Sequence, residues 1–429
     1  MIINEEIIET LIEKYKQFVG RNIGELFYLG AQYSVPIVAF LVNILVMRYI
    51  DPATLGSYQS IQIWAAYFAF LQIGVFNGLN RNLSYYKGAG RLTELNEAAS
   101  TGFVFSIFIS FISLLVVISL YFTSINDSTP EALYAFIILG LTSFTMPISV
   151  LFDTLYRTGQ DFKKLGKLII IDELVFASSS TFVIFFGYYG FILQNALKTI
   201  ISVILKIAGK INAVQLKFSF RSLKEQINTG FPILLNSYLY STFFIFDQFY
   251  IVRSFENVDL GNYNLARLVL LLIPIVPTSL TTILYPKASS LFGQSGDNRS
   301  VLKPFFFKAL LVNVIILIPL IVFIYYSIGP LVTNFLPKYI NGINFAELSA
   351  IGGVGFVYIG PSIILGVLKK NSLNLIFLLF LSLTTYGLYF IGLLKFQSIE
   401  SLIWYKNIIF ISYAFIMTFY IYWLISKKA

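Results

Sequence analysis

Neither cysteine nor histidine occurs anywhere in the 429 residues. Disulfides, thiol nucleophiles, imidazole proton relays and the commonest metal-ligand sets are thereby excluded, and neither a metal site nor a catalytic constellation is expected. Charge is scarce as well: 12% of residues are Asp, Glu, Lys or Arg and 57% are hydrophobic, whereas about a quarter of a soluble domain is charged. Long polar stretches are missing too, the longest break between apolar segments running over about 209–229. A membrane polymerase or glycosyltransferase needs an extramembrane surface for its sugar chemistry, and there is little room for one. The net charge of +9 does not point to nucleic acid, because the basic residues fall between apolar segments, where they set orientation.

What fills the chain is apolar helix. About twenty apolar residues cross the hydrocarbon core as a helix, and twelve such segments are present: 26–50, 57–84, 98–123, 132–157, 165–187, 190–208, 230–253, 259–285, 304–327, 343–368, 372–394 and 403–426. This predicts an all-α polytopic membrane protein. Ahead of the first segment, Ile3, Ile7, Leu11, Tyr15 and Phe18 recur at helical spacing among Glu5, Glu6, Glu9 and Lys16, which predicts an amphipathic helix over 1–24 that lies at the membrane interface or, alternatively, docks into a partner. That stretch is too acidic for a cleavable signal peptide. Lys and Arg crowd one set of loops, from Arg81, Lys87 and Arg91 through Lys206, Lys210 and Lys217 to Lys427 and Lys428; the other side holds Arg48, Arg253, Lys338, Lys395 and Lys406. Basic loops stay cytoplasmic, so both termini are expected in the cytoplasm.

Arg48–Tyr58 and Arg253–Tyr263 align without a gap: Arg on Arg, Asp51 on Glu256, and Leu-Gly-x-Tyr on itself, at an offset of 205 residues. Each copy lies at the short turn between two long apolar segments, so the chain reads as two related halves. Six segments per half is an even number, and the halves insert with the same polarity.

Leu55, Gly56, Tyr58, Gly74, Asn77, Gly78 and Arg81 in the first half, and Gly230, Pro232, Asp247, Leu260, Gly261, Tyr263 and Ala266 in the second, followed by Pro274, Pro277 and Pro286, resemble the polysaccharide flippase (Wzx-type) branch of the multidrug, oligosaccharidyl-lipid and polysaccharide exporter superfamily. The resemblance implies two pseudo-symmetric six-helix lobes around a central cavity, here residues 25–208 and 230–429, joined by a cytoplasmic linker over 209–229. It implies alternating access that carries an undecaprenyl-pyrophosphate-linked oligosaccharide, an O-antigen or capsule repeat unit, across a bacterial cytoplasmic (inner) membrane. No covalent chemistry, catalytic residue or cofactor is required beyond a coupling cation, Na+ or H+. Membrane lipids, a polysaccharide polymerase and other glycan-assembly proteins are the partners it suggests. The alternatives are a small-molecule or multidrug antiporter of the same superfamily, a peptidoglycan-precursor flippase, whose branch carries two extra helices, and a membrane polymerase.

Ionisable groups at mid-bilayer depth cost about 2.5 to 3.5 kcal/mol each and call for a partner or water. Asp247 and Arg267 lie six residues either side of the turn positions Arg253 and Gly261, hence at equal depth on adjacent helices: either a structural ion pair, or an arginine for an anionic headgroup with Asp247 holding it or taking a coupling cation. The 205-residue offset puts Gln62 opposite Arg267 and Asn43 beside the position opposite Asp247. With Gln59, which shares a face with Gln62, these amides are candidates either for sugar hydroxyls or for interhelical hydrogen bonds. Lys198 either faces the cavity or pairs with Asp172 or Glu173, themselves candidates for coupling or charge compensation. Arg48 and Arg253 anchor at headgroups, or pair with Asp51, Glu256 or Asp259 to close an outer gate, with Gly56 and Gly261 as its tight turns or close packing points. Pro274 and Pro277 make the eighth segment the candidate for a bend.

Overall fold

The computed structural model describes residues 5–123, 129–159, 161–210, 214–295, 298–368, 370–390, 392 and 395–426, with side chains from residue 24 onward except 282, 283, 286, 290, 293 and 371–375. Among the described residues every regular element is helical. The first half holds α1 (Glu5–Tyr49), α2 (Pro52–Gln62), α3 (Ala65–Leu71), α4 (Val75–Gly88), α5 (Leu92–Thr123), α6 (Pro130–Thr158), α7 (Phe162–Ser179) and α8 (Thr181–Lys210). The second holds α9 (Phe220–Ser254), α10 (Asn257–Leu272), α11 (Ile275–Gln294), α12 (Lys303–Phe335), α13 (Ile343–Gly352), α14 (Ile359–Val367), α15 (Asn371–Ser382), α16 (Leu388–Phe390) and α17 (Ile399–Ser426).

Eight of these helices or helix runs are long and apolar enough to cross a membrane alone, and the pair Pro52–Leu71 and Val75–Gly88, bent by 47°, makes a ninth. The other three expected segments are α7, which carries Asp172, Glu173 and three lysines, the polar-rich α9, and the short run Ile376–Phe390. Together they account for the twelve read from the sequence. The amphipathic face expected of residues 1–24 rests on side chains outside the described residues. The backbone there is not a separate helix, since α1 runs unbroken from Glu5 to Tyr49. Lys369, Lys427 and Lys428 also lie outside the described residues.

The expected segments 165–187 and 190–208 leave only a very short turn between them, and the chain does turn there, at Gly187. Its φ of 53° and ψ of −125° break the helix, a conformation open to glycine because no Cβ meets the backbone. The chain then returns along α7: Gln194 Nε2 donates to Phe176 O at 2.9 Å and Lys198 Nζ to Glu173 Oε1 at 3.3 Å. The eighth segment does break where its prolines predict, between Leu272 and Ile275. The second segment bends without any proline, at Ile73 and Gly74, both with positive φ. Pro36, Pro147, Pro232 and Pro319 lie inside helices that continue through them.

The described residues form two compact units that do not follow the sequence halves: those within 1–42, 68–127 and 136–233 in one, and those within 43–67, 128–135 and 234–429 in the other. The first is centred on Phe76, Leu79, Phe105, Leu151 and Phe152 from α4, α5 and α6, with a second cluster joining α1, α6 and α7 through Ala31, Tyr156, Leu165 and Ile169. Within it α4 meets the start of α9 backbone to backbone: a Cβ on Gly230 would stand 1.9 Å from Gly74 O. The second unit packs Phe246, Tyr250, Leu260, Tyr263, Phe345 and Leu402 from α9, α10, α13 and α17.

Also within the second unit, α2 and α10 cross in contact, and the contact is reciprocal. A Cβ on Gly56 would stand 1.7 Å from Asn257 O, and one on Gly261 1.8 Å from Pro52 O. Position 56 maps to 261 and 52 to 257 under the repeat offset, so each half presents the same face to the other. The buried Gln59 obeys the same rule, its Nε2 donating at 2.9 Å to Oδ1 of Asn264, its own repeat mate.

Asp51 starts α2 as its N-cap, accepting from Thr54 N at 2.9 Å and from the Thr54 hydroxyl at 2.7 Å. Burial pushes the Asp51 carboxyl up, but the Thr54 hydrogen bonds outweigh it and hold the group below its usual range. Asp51→Ala is expected to lower stability by about 1 kcal/mol at neutral pH. Because the folded carboxyl sits below its unfolded value, that contribution is present at neutral pH and is lost as acid titrates the folded group. Melting curves of wild type and variant should therefore differ at neutral pH and converge in acid; a pH-independent gap would contradict the cap.

Candidate functional site

The site is built in the second unit. On α9, Tyr240, Phe243, Phe244 and Asp247 fall at three-, four- and seven-residue spacings and so form one stripe. Asp247 is 1% exposed. Its Oδ1 accepts from the Gln248 backbone N–H at 2.9 Å, and its Oδ2 accepts from both the Tyr263 hydroxyl of α10 and the Lys406 ammonium of α17. Lys406 Nζ also lies 5.4 Å from the ring centre of Phe244 and 5.9 Å from that of Phe243. A carboxylate and two aromatic rings thus compensate an ammonium that burial would otherwise destabilise.

Arg267 follows Tyr263 by about one helical turn. With Tyr240, Phe244, Asp247, Gln248, Tyr263, Pro274 and Phe356 among its neighbours, it lines a cavity of about 350 Å³. Among the described residues its guanidinium makes no ion pair and donates no hydrogen bond. Two cations therefore face one carboxylate, and that carboxylate is already claimed by Lys406 and Tyr263. One surplus positive charge remains, carried by a planar fork suited to phosphate or carboxylate oxygens, on a wall of aromatic faces.

Several of the expected site residues lie elsewhere or take other partners. Asp247 and Arg267 do share one cavity, but the ion pair that Asp247 makes is with Lys406, not with Arg267. Lys406, expected in a loop, lies two turns inside α17, which begins at Ile399, and is 6% exposed. Lys206, read as a loop cation, is likewise buried, against Ser149 and Asp153. Gln59, Gln62 and Asn43 do not line the cavity. Gln59 is held by Asn264 in the α2–α10 crossing, and Gln62 Nε2 donates to Ala135 O at 2.8 Å, which is the interhelical alternative. Lys198 takes Glu173, while Asp172 receives the Ser202 hydroxyl at 2.8 Å. Arg48 and Arg253 are exposed and, among the described residues, make no ion pair. Their expected partners are occupied otherwise, Asp51 as a cap and Glu256 with Asp259 in the capping box of α10. Gly56 and Gly261 do mark close packing.

The chain resembles solved membrane transporters along nearly its whole length. An inward-facing multidrug resistance MATE family transporter of the MOP superfamily aligns at 14% identity over 93% of this chain and 98% of that one, with a TM-score of 0.70. The lipid II flippase MurJ in an inward closed conformation aligns at 14% identity over 92% and 87%, also at 0.70. An outward-facing MATE transporter gives 15% identity over 94% of each chain and 0.58. At such identities the likeness establishes the fold, the one expected from the motifs. No curated protein matches the sequence. The model of a family described as polysaccharide biosynthesis protein matches residues 45–339, which include the α2–α10 crossing, Asp247, Tyr263 and Arg267 and stop short of Lys406. With well over half of its length under that model and a transporter fold throughout, this membrane-spanning chain belongs to the polysaccharide biosynthesis protein family.

Proposed function

We propose that the protein is a flippase that carries an undecaprenyl-pyrophosphate-linked oligosaccharide, an O-antigen or capsule repeat unit, across a bacterial inner membrane by alternating access between an N-lobe (25–208) and a C-lobe (230–429). The observation that carries the reading is the surplus charge of Arg267 on an aromatic wall: a pyrophosphate or an acidic sugar supplies the missing anion, and the rings supply flat apolar faces. The cavity holds such a group rather than a whole oligosaccharide. In this reading both termini are cytoplasmic, the protein makes and breaks no covalent bond, and a cation, Na+ or H+, couples transport to a gradient. Polymerase and other glycan-assembly proteins receive the product.

The compact aromatic lining also suits a small-molecule antiporter of the same superfamily. That reading needs a free acid for its cation at the cavity, and Asp247 is already held by Lys406.

Translocation of a fluorescent undecaprenyl-pyrophosphate oligosaccharide in proteoliposomes tests the proposal. Arg267→Ala is expected to lose at least about tenfold in apparent affinity, about 1.4 kcal/mol, with little change in melting temperature, and Arg267→Lys to recover part of it. Wild-type rates in a folded Arg267→Ala protein would remove Arg267 from the path. A folded wild type that moves organic cations but no lipid-linked glycan would leave the antiporter.

A further inference from the structure

One face of α8 carries Lys198, Ser202, Lys206 and Lys210 at intervals of four residues, so they stack in a row about 6 Å apart. Each meets an acidic residue from α7, α6 or the turn before α7. Lys198 Nζ is 3.3 Å from Glu173 Oε1, Ser202 Oγ is 2.8 Å from Asp172 Oδ2, Lys206 Nζ is 3.1 Å from Asp153 Oδ2 and 2.9 Å from Ser149 Oγ, and Lys210 pairs with Asp161. Three rungs join a cation to an anion. The fourth joins Asp172 to a serine.

Asp172 is therefore the odd member. It is 9% exposed, and its Oδ1 has no hydrogen-bond partner. Glu173 Oε2, 6% exposed on the adjacent residue, has none either. Ionised, Asp172 would hold a net negative charge inside the membrane with an empty lone pair, since both neighbouring ammonium groups are engaged by other carboxylates. The charged and titratable groups around it are Glu173 on its own helix, Lys198 and Lys206 on α8 and Asp153 on α6. The side of α7 toward α1 is apolar, with Leu165, Leu168 and Ile169 against Ala31 and Tyr28.

We propose that Asp172 is a proton-binding site. A proton neutralises the odd rung and asks for no ligand shell. A metal cation would have to enter between two ammonium groups one turn to either side, which repel it. When the proton leaves to water, the new carboxylate competes with Glu173 for Lys198 and with Asp153 for Lys206, and the ion pairs that join α6, α7 and α8 are redistributed. The site lies outside the Arg267 cavity, and giving it the coupling role rests on the transport reading above.

Infrared difference spectroscopy on the full chain in liposomes, stepping from alkaline to acid buffer without sodium or substrate, tests the site directly. Wild type is expected to gain a protonated-carboxyl band that is lost in Asp172→Asn; an unchanged band in that variant overturns the proposal. If Asp172→Asn does not fold, Ser202→Ala must shift the band, because it removes the hydrogen bond to that carboxyl, and no shift overturns it equally. Sodium that raises the melting temperature of wild type but not of Asp172→Asn would assign a metal ion instead. Translocation of the lipid-linked oligosaccharide under a pH gradient then separates the two readings. Loss of the gradient response in Asp172→Asn supports both, a band without any transport sinks the flippase reading alone, and transport without the band sinks the proton site alone.

Discussion

Lys406→Met is expected to destabilise the protein by about 3–5 kcal/mol, the loss seen when one member of a buried ion pair is removed and the other stays charged. The methionine fills most of the lysine's volume, so little of the loss would come from a void. What remains is Asp247, 1% exposed, with the Tyr263 hydroxyl and the Gln248 N–H but no cation in contact. Asp247→Asn should be costly for the mirror reason, leaving an ammonium among Phe243 and Phe244. The informative variant is the double one. Asp247→Asn with Lys406→Met removes both charges and keeps an acceptor for Tyr263, so most of the stability should return and the cycle should show a coupling of roughly 2 kcal/mol or more. Equilibrium unfolding in detergent measures it. Strictly additive losses would mean that the two residues act separately and that Asp247 does not depend on Lys406 for its charge.

The second large effect is expected at the helix crossing. Gly261→Val places a branched side chain where even a Cβ would lie 1.8 Å from Pro52 O. The obstacle is backbone, which cannot swing aside as a side chain can, so α2 and α10 must separate and the Gln59–Asn264 hydrogen bond must break. Gly56→Val meets Asn257 O in the same way. Either variant is expected to lose transport and to melt well below wild type, by an amount equivalent to about 3 kcal/mol or more. A Gly261→Val protein that melts and transports like wild type would show that the two helices do not need this approach.

Local, repetitive features were legible in the sequence. Segment length and hydropathy give the twelve helices, Gly187 the hairpin of α7 and α8, and Pro274 the break after α10, because each depends on residues adjacent in the chain. The bend at Ile73 and Gly74 was not legible, since a positive φ leaves no mark as plain as proline. At the site, Asp247 and Arg267 were readable from depth, whereas Tyr263 showed only as part of the repeat; charge alone offered Lys198 both Asp172 and Glu173 as partners, and the structure gives it Glu173. Lys406 was not: a lysine three residues into an apolar run looks like a boundary, and only the packing of α17 onto α9 shows it to be an interior cation. The bond between Gln59 and Asn264 lay within reach, because positions 205 apart at equal depth are natural partners when two copies meet face to face.

That last pairing says something about ancestry. The α2–α10 contact maps onto itself under the repeat offset, as the interface of a two-fold homodimer does. A half-length forebear would have met a second copy of itself through this same glycine, and every substitution there would have acted twice. Two copies joined in one chain are free of that constraint. Gly261 meets a proline where Gly56 meets an asparagine, and a glutamine faces an asparagine. In the two places where the contact is tightest both halves carry glycine, while the residues beside it differ. Within one chain, the two faces of such a contact can specialise separately.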